Sequence, residues 1–112
     1  VVFRLMANLY KNAKLDLTAT SATVLYTVPV ARTAIFKSIL VSEDSGNADT
    51  ITVTLTNAAA AVFSLFKVKA VAANTTVELL TAPLVLETGE ILKFTAATAN
   101  RLHVVGSYLE VS

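Results

Sequence analysis

Residues 50–57 read TITVTLTN, and in this stretch the apolar residues Ile51, Val53 and Leu55 alternate with threonines. A period of two places successive side chains on opposite faces of an extended chain, so the pattern predicts a strand with one buried and one wetted face. β-Branched side chains favour the same conformation, because they lose rotamer freedom in a helix. The stretch therefore indicates a β-fold.

Similar short apolar runs recur along the chain at intervals of about ten residues and are separated by turn-forming residues. They predict further strands at residues 22–28, 33–42, 62–69, 75–80, 84–86, 90–97 and 101–111. No amphipathic helical pattern lies between them to supply a parallel crossover. The expected fold is all-β, an antiparallel two-sheet β-sandwich of about seven to eight strands, with jelly-roll and immunoglobulin-like topologies both open.

The connections between these strands carry three finer expectations. Residues 58–61 are four alanines, too few to hold a helix alone, and we expect a loop or bulge there. Gly46 and Gly89 lie in polar turns and are the expected positive-φ positions. Gly106 lies inside the last strand, where the apolar alternation changes phase, which predicts a β-bulge.

Residues 24–41, VLYTVPVARTAIFKSILV, hold twelve hydrophobic residues in eighteen positions. Arg32 and Lys37 divide this stretch and Pro29 interrupts it, so it is not the run of roughly 18 uncharged apolar residues that a membrane-spanning helix needs. Neither face of the predicted strand 33–42 is cleanly polar. We expect one face to be covered by the second sheet and the other by a neighbouring chain.

The composition points to protein partners. Hydrophobic residues make up 54% of the chain and charged residues 15%, against about 45–50% and 25% in typical domains. Nine lysines and arginines, scattered along the chain, oppose eight aspartates and glutamates, so no basic patch suggests nucleic acid or an anionic membrane. A surface this short of charge is expected to be partly covered by another protein.

Residues 1–17, VVFRLMANLYKNAKLDL, precede the regular strand pattern. They carry apolar side chains such as Phe3, Leu9 and Tyr10, which favours a docked segment over a solvated tail. Two interpretations are open for this segment. It is either an N-terminal arm that reaches a neighbour, or a first strand that joins the β-sandwich domain formed by residues 18–112. The apolar run is too short for a signal peptide, so we expect no export signal.

The sequence contains few residues in patterns that are typical of catalytic sites. His103 is the single histidine and lies in the predicted last strand, where we interpret it as a sheet-face residue. Glu87 and Glu90 flank Gly89, but a carboxylate pair at a turn, in a chain without tryptophan, is a weak signal for glycoside cleavage. We therefore expect no enzyme activity and no catalytic, cofactor-binding or metal-binding residues.

The acidic stretch EDSGNAD, residues 43–49, is the remaining candidate for a cation site. Glu43, Asp44, Asn47 and Asp49 supply the oxygen ligands that calcium prefers. The stretch lacks the alternating acidic spacing and the distal bidentate glutamate of a calcium loop. We interpret it as a solvated hairpin turn.

Several motifs give the chain a resemblance to a known family. They are LYTVP at 25–29, TAIFKSILV at 33–41, AANTTVEL at 72–79, PLVLETGEIL at 83–92 and VVGSYLE at 104–110. Together they resemble the small β-sandwich virion proteins of tailed bacteriophages, over residues 25–111. One departure is that Val30-Ala31-Arg32 follows Pro29 where such proteins commonly have a glycine turn.

This resemblance implies a non-enzymatic structural role in the virion. The implied protein is a capsid cement (decoration) protein that binds the major capsid protein and stabilises the shell, commonly as a homotrimer. The alternative is a tail, baseplate or fibre module with a binding role. The implied location is the capsid surface, after synthesis in the host cytoplasm, with no nucleic-acid or membrane partner.

Overall fold

The chain folds into two antiparallel β-sheets that pack face to face, in a computed structural model that describes residues 8–112. The strands are β1 (Asn8–Asp16), β2 (Thr23–Thr27), β3 (Thr33–Glu43), β4 (Asp49–Thr56), β5 (Val62–Val71), β6 (Thr76–Glu78), β7 (Leu84–Leu86), β8 (Ile91–Ala96) and β9 (Leu102–Val111). The predicted all-β sandwich is confirmed. Residues 8–112 form nine strands, more than expected, because the segment before residue 18 contributes β1.

The strand order shows how the chain is rolled up. The first sheet has the order β1-β9-β3-β6, with β7 also paired to β3, and the second sheet has the order β2-β8-β4-β5. Within these sheets β1 pairs with β9, β2 with β8, β3 with β6 and β7, and β4 with β5. Such nested pairs describe one long hairpin that turns between β4 and β5 and is then rolled up. Of the two topologies that the sequence left open, this arrangement is the jelly roll.

The core lies between the two sheets, and the alternation predicts its β4 members correctly as far as Thr54. Ile51 and Val53 are fully buried, whereas Thr52 and Thr54 lie half-buried on the outer face. Beyond the register shift at Val53/Thr54 the alternation fails, because Leu55 is only half-buried and Thr56 is buried. Each fully buried aliphatic side chain stabilises the fold by about 1.5–3 kcal/mol relative to an exposed one. The two-residue period therefore explains why Ile51 and Val53 face the core while Thr52 and Thr54 face outward.

Strand β3 changes phase at Lys37, which the sequence did not predict. Its register with β9 shifts between Phe36 and Ser38, leaving Lys37 as the extra residue of a β-bulge. The buried side chains of β3 are Ala34, Phe36, Ile39, Val41 and Glu43. The simple alternation expected for this strand therefore ends at Phe36. Even-numbered residues face the core before the bulge, and odd-numbered residues face it after the bulge.

Gly106 does not form the bulge predicted for it. It pairs with Ala13 and Ile39 in a β9 strand whose inward positions alternate without interruption from Leu102 to Glu110. A Cβ atom at Gly106 would lie 2.7 Å from Cε2 of Phe36. The glycine is needed because the buried Phe36 ring occupies the place of a side chain.

The turns follow local chemistry closely. Gly46 and Gly89 have φ values of +83° and +81°, as predicted. The turn after Pro29 is closed by the Arg32 N–H, which donates to the Pro29 carbonyl at 3.3 Å. Ala31 takes the left-handed conformation within it, with φ at +59°, so an alanine here adopts the conformation that favours glycine.

The four-alanine segment is a loop between β4 and β5, as expected. The Asn57 side-chain oxygen accepts hydrogen bonds from the Ala59 and Ala61 N–H groups at 3.0 and 2.9 Å. The Asn57 N–H in turn donates to the Ala61 carbonyl at 2.9 Å. Asparagine therefore supplies the local partners that a helix would otherwise provide.

The N-terminal part of the chain divides at residue 8. Residues 8–16 form β1, an edge strand that pairs with β9 along its whole length, from Asn8 opposite Val111 to Asp16 opposite His103. Leu17 follows it and is fully buried. The arm interpretation of 1–17 thus does not describe residues 8–17, and residues 1–7 lie outside the described part of the chain.

Candidate binding surface

His103 lies on the outer face of the first sheet, in the position expected for a sheet-face residue. Its Nε2 atom lies 3.3 Å from Asp16 Oδ1 and its Nδ1 atom 3.6 Å from Asp44 Oδ2. The two carboxylates therefore contact opposite edges of the ring and do not converge on a common point. Within residues 8–112, no group of three or more histidine, cysteine, aspartate or glutamate side chains is placed to hold a metal ion.

Glu43 organises the acidic turn from the inside. Its carboxylate accepts backbone N–H bonds from Ser45 at 2.9 Å, Gly46 at 3.0 Å, Asn47 at 3.1 Å and Asn74 at 3.2 Å, and a further bond from the Ser45 hydroxyl. Only 2% of Glu43 is exposed. The expectation of a solvated turn is therefore wrong for this residue, because its oxygens are used to close the turn.

The other carboxylates of this stretch are dispersed. Asp44 lies beside His103, whereas Asp49 is buried and accepts the Thr98 N–H at 3.0 Å. Each group has its own partner in a different part of the fold. The oxygens that suggested a cation site are not gathered around one point.

The hydrogen bonds to Glu43 determine its pKa. Burial by itself acts to raise the pKa, but the bonds from Ser45, Asn74 and Gly46 stabilise the ionised form and together lower the pKa to about 2. Because this is below the ordinary value of 4.5, ionised Glu43 stabilises the fold above about pH 4.5. That contribution is lost as the pH falls toward 2.

Replacing Glu43 with glutamine tests this role. We expect the melting temperature of Glu43→Gln to lie well below that of the wild type at pH 7, and the gap to narrow between pH 4.5 and pH 2. Thermal unfolding followed by circular dichroism across this range measures the gap. Glu87→Gln, at an exposed turn position, is the matched control, and a gap for Glu43→Gln that does not change with pH would contradict the assignment.

Glu87 and Glu90 close the turn around Gly89 and do not flank a cleft. The Glu90 carboxylate accepts the Glu87 N–H at 2.8 Å, and the Glu90 N–H donates to the Glu87 carbonyl at 3.0 Å. One member of the pair is thereby bound to the backbone of the other. The arrangement stabilises the turn that leads into β8.

Glu110 is a buried carboxylate that the sequence analysis missed. It is 3% exposed and accepts hydrogen bonds from the Tyr26 hydroxyl at 2.6 Å, Arg32 Nη1 at 2.5 Å and Lys11 Nζ at 3.1 Å. The Tyr26 bond contributes most to lowering the pKa of Glu110. Burial opposes the shift, and Lys11 and Arg32 assist it. Burial and the same bond raise the pKa of Tyr26.

This network joins separate parts of the fold. Tyr26 comes from the second sheet, Lys11 from β1 and Arg32 from the turn before β3, and all three meet Glu110 on β9. The Tyr26 ring also contacts the rings of Phe36 and Tyr108, with centroids 5.6 and 4.5 Å away. The carboxylate is thus a link between the sheets. Its sequence signal was its place in the inward phase of β9, two residues after Tyr108.

The outer face of the first sheet carries apolar side chains in a continuous line. Tyr10 lies opposite Leu109, Leu109 opposite Ile35, and Ile35 opposite Val85. We call these four residues the apolar row. Its ends are its most exposed members, with Tyr10 79% and Val85 53% exposed.

Two further lines of residues lie between the apolar row and the line of Asp16, His103, Ser42 and Thr76 on the same face. The polar row consists of Asn12, Ser107 and Ser38. The mixed row consists of Lys14, Val105, Leu40 and Glu78, and its two charged residues lie at opposite ends. Every strand of the first sheet contributes to one of the rows.

The outer face of the second sheet is different in character. Thr52 lies opposite Thr95, and Thr54 lies opposite Lys93. Short hydroxyl side chains and a lysine make most of this face compatible with water, although the exposed Val24 lies opposite Lys93. The two outer faces of the sandwich are therefore chemically distinct, and the apolar one belongs to the first sheet.

The edge of the second sheet presents another apolar surface. The exposed hydrophobic side chains of β5 are Val62, Phe63 and Val68. The register of β5 with β4 shifts twice, and Val68 has a φ of +52° with its N–H donating to the Thr52 hydroxyl at 3.1 Å. Such irregularities, together with Lys67 and Lys69, discourage addition of a further strand.

A groove of about 290 Å³ lies between β5 and the segment that joins β6 to β7. Its apolar lining consists of Leu65, Phe66, Leu79, Leu80, Pro83 and Leu84, with Thr81 and Ala82 completing it. No titratable side chain lines the groove. It is shaped for apolar side chains and offers no acid or base for catalysis.

Comparisons with known proteins address the fold. No family model matches the chain, and no curated protein matches it. A solved structure from Bacillus endospore appendages, described as forming a novel family of disulfide-linked pili, is similar with a TM-score of 0.51 over 96% of this chain and 85% of that chain, at 11% sequence identity. At that identity the similarity shows a common fold alone.

Proposed function

We propose that this chain is a non-enzymatic structural protein of a tailed-phage virion, a capsid cement protein that binds and stabilises the shell of major capsid protein. The resemblance over residues 25–111 supports the phage assignment, and the jelly-roll sandwich supports a structural role. The observation that carries the proposal is the apolar row on a sheet face against which no other strand of residues 8–112 packs. Exposed apolar surface of this kind is typical of protein–protein contact sites.

The placement of the acidic groups supports a role without catalysis. Glu43, Glu78 and Glu110 are engaged by hydrogen bonds that lower the pKa of each, although burial acts against the shift in all three. A carboxylate held ionised and bonded in this way stabilises the fold and is poorly suited to donate a proton at neutral pH. These groups therefore support a structural protein.

The stabilising mechanism would be multivalent. A small domain buries modest area against a shell protein, but repetition around a symmetric particle raises the effective concentration of each contact. The homotrimer implied by the resemblance remains a prediction. A truncation that tests an N-terminal arm should end before Asn8, since residues 8–16 form β1 and Lys11 binds Glu110.

The copy number per particle tests the proposal. A cement protein should be present at about one copy, or about one-third of a copy, per major capsid protein, because it follows the symmetry of the shell. Quantitative mass spectrometry of purified particles measures this ratio, with the portal and tail proteins of the same particles as low-copy references. Absence of the protein from the particles would contradict a virion role.

A tail, baseplate or fibre module is the second candidate. The observation that favours it is the fold similarity, over 96% of this chain, to a protein from endospore appendages described as pili. The 112 residues contain no cysteine, so the disulfide linkage described for those pili has no counterpart here. A copy number close to that of the tail proteins would favour this alternative over the cement protein.

A further inference from the structure

The two ends of the first sheet's outer face are complementary to each other. In the apolar row the large Tyr10 lies on β1 and the smaller Val85 lies on β7 at the opposite edge. In the mixed row the cation Lys14 also lies on β1, and the anion Glu78 lies on β6. Both rows are thus polarised in the same direction across the sheet.

We propose that this face binds the same face of a second copy of the chain, about a two-fold axis that runs parallel to the strands. Such an axis reverses the order of the strands and preserves position along them. Tyr10 of one copy then lies over Val85 of the other, and Leu109 lies over Ile35. A two-fold contact makes each pairing twice, because residue i meets j and j meets i.

The same axis also matches the charges. It places Lys14 of one copy over Glu78 of the other, so opposite charges meet at both edges of the contact. Lys14 forms no ion pair within residues 8–112. Glu78 keeps a negative charge on this face while it accepts bonds from the Ser38 hydroxyl and the Ile39 N–H. Complementary charges of this kind fix the register of a contact.

A two-fold axis perpendicular to the strands matches the rows less well, because it reverses position along the strands and leaves β1 over β1. Centred on the apolar row, it would stack that row on itself and leave Lys14 and Glu78 without opposite charges. Centred on the polar row, it would bring Tyr10 of one copy over Lys14 of the other. The apolar row would then cover the mixed row, and an ammonium group would lose water without gaining a partner. The rows therefore select the parallel axis.

The geometry is that of ordinary sheet-on-sheet packing. Facing sheets lie about 10 Å apart, with strand directions within about 30°. The polar row lies between the apolar row and the mixed row. Beside it, Lys37 lines a depression with Asn12 and Ser107. This middle zone can retain water between the copies, as protein interfaces commonly do.

The pairing does not depend on the virion role. A dimer of the isolated chain would form whether the particle partner is a capsid or a tail protein. Because it covers the apolar row, a subunit that binds the shell through this row must first separate from its second copy. A two-fold pair also differs from the trimer that the resemblance implies. The mass of the assembly in solution separates these possibilities, since one subunit has a mass of 11.8 kDa.

The first experiment compares two valine substitutions by sedimentation equilibrium of the full chain. We expect the wild type to form a dimer, and Val85→Lys to raise its dissociation constant at least about tenfold, since each dimer contains the substitution twice. Val24→Lys, at an exposed valine on the second sheet, should leave the constant unchanged. Circular dichroism melting checks that both variants fold.

Three results would overturn the pairing. They are a wild-type monomer at about 100 μM, a mass of three subunits, and a dimer that Val24→Lys weakens as much as Val85→Lys does. The concentration is chosen because a specific interface of standard size usually gives micromolar or tighter affinity. A monomer would leave this face for another protein partner.

Cross-linking tests the direction of the axis. The chain has no cysteine, so Tyr10→Cys with Val85→Cys introduces the only thiols. These positions lie on opposite edges of one sheet, three strand spacings or about 14 Å apart, whereas the pairing brings them together between copies. A short bismaleimide should link position 10 of one copy to position 85 of the other, as mapped by mass spectrometry. Tyr10→Cys with Val24→Cys is the matched control, and equal yields would overturn the axis.

Discussion

Replacing Glu110 with alanine is expected to lower the free energy of unfolding by about 3 kcal/mol, because a buried acceptor of three hydrogen bonds is lost. The side chains of Lys11 and Arg32 remain 41% and 38% exposed, so both cations can turn to water. That relief keeps the expected loss at the lower end of the range for a broken buried ion pair. Urea denaturation with an unchanged m-value measures it.

Two companion variants apportion the effect of Glu110. Lys11→Met removes only an exposed cation and should cost less than about 1 kcal/mol. Tyr26→Phe removes the hydroxyl that links the second sheet to the ionised Glu110 and should cost about 1.5–3 kcal/mol. A Glu110→Ala variant within about 1 kcal/mol of the wild type would show that the network contributes little to stability.

Replacing Gly106 with alanine is expected to lower the free energy of unfolding by about 1–3 kcal/mol through overpacking. The new Cβ would meet Phe36 Cε2 at 2.7 Å and Leu25 Cδ2 at 3.2 Å. The Phe36 ring is fully buried and stacks on Tyr108 with centroids 4.9 Å apart, so it has little room to move. The clash is stronger than the modest gain that alanine brings to a strand in place of glycine.

A double-mutant cycle identifies the ring as the cause. Phe36→Leu removes the ring edge, so Gly106→Ala should cost clearly less in that background, with a coupling energy of at least about 1 kcal/mol. Ser107→Ala, at the adjacent outward position of β9, is the control and should be nearly neutral. Equal costs for Gly106→Ala in both backgrounds would contradict the close approach of Phe36.

The β3 bulge and Gly106 show why part of the core escaped prediction. From the sequence, residues 102–111 show an apparent change of phase, and β3 shows apolar residues in both phases. The structure places the irregularity in β3, at Lys37, and keeps β9 regular. The two strands are neighbours, so a bulge in either could restore their packing. Only their mutual register decides which strand carries it.

The rows on the outer face of the first sheet also depend on which strands are neighbours. Tyr10, Ile35, Val85 and Leu109 are unremarkable one by one, since single exposed apolar residues are common. They form a surface because β1, β9, β3 and β7 lie side by side. The expectation that both faces of β3 are covered agrees with the sandwich on its inner face. On its outer face, the proposed second copy of the chain would provide the cover that the sequence predicts.

The sequence by itself determined the elements of this protein: β-strands at eight of the nine observed positions, the loop at residues 58–61, and the positive-φ turns at Gly46 and Gly89. These features depend on side-chain period and turn chemistry, which act over a few residues. The tertiary structure alone decided the jelly-roll order, the bulge at Lys37 and the burial of Glu110. Glu110 binds a lysine 99 residues away, and contacts at such separation depend on which strands become neighbours, which no local pattern encodes.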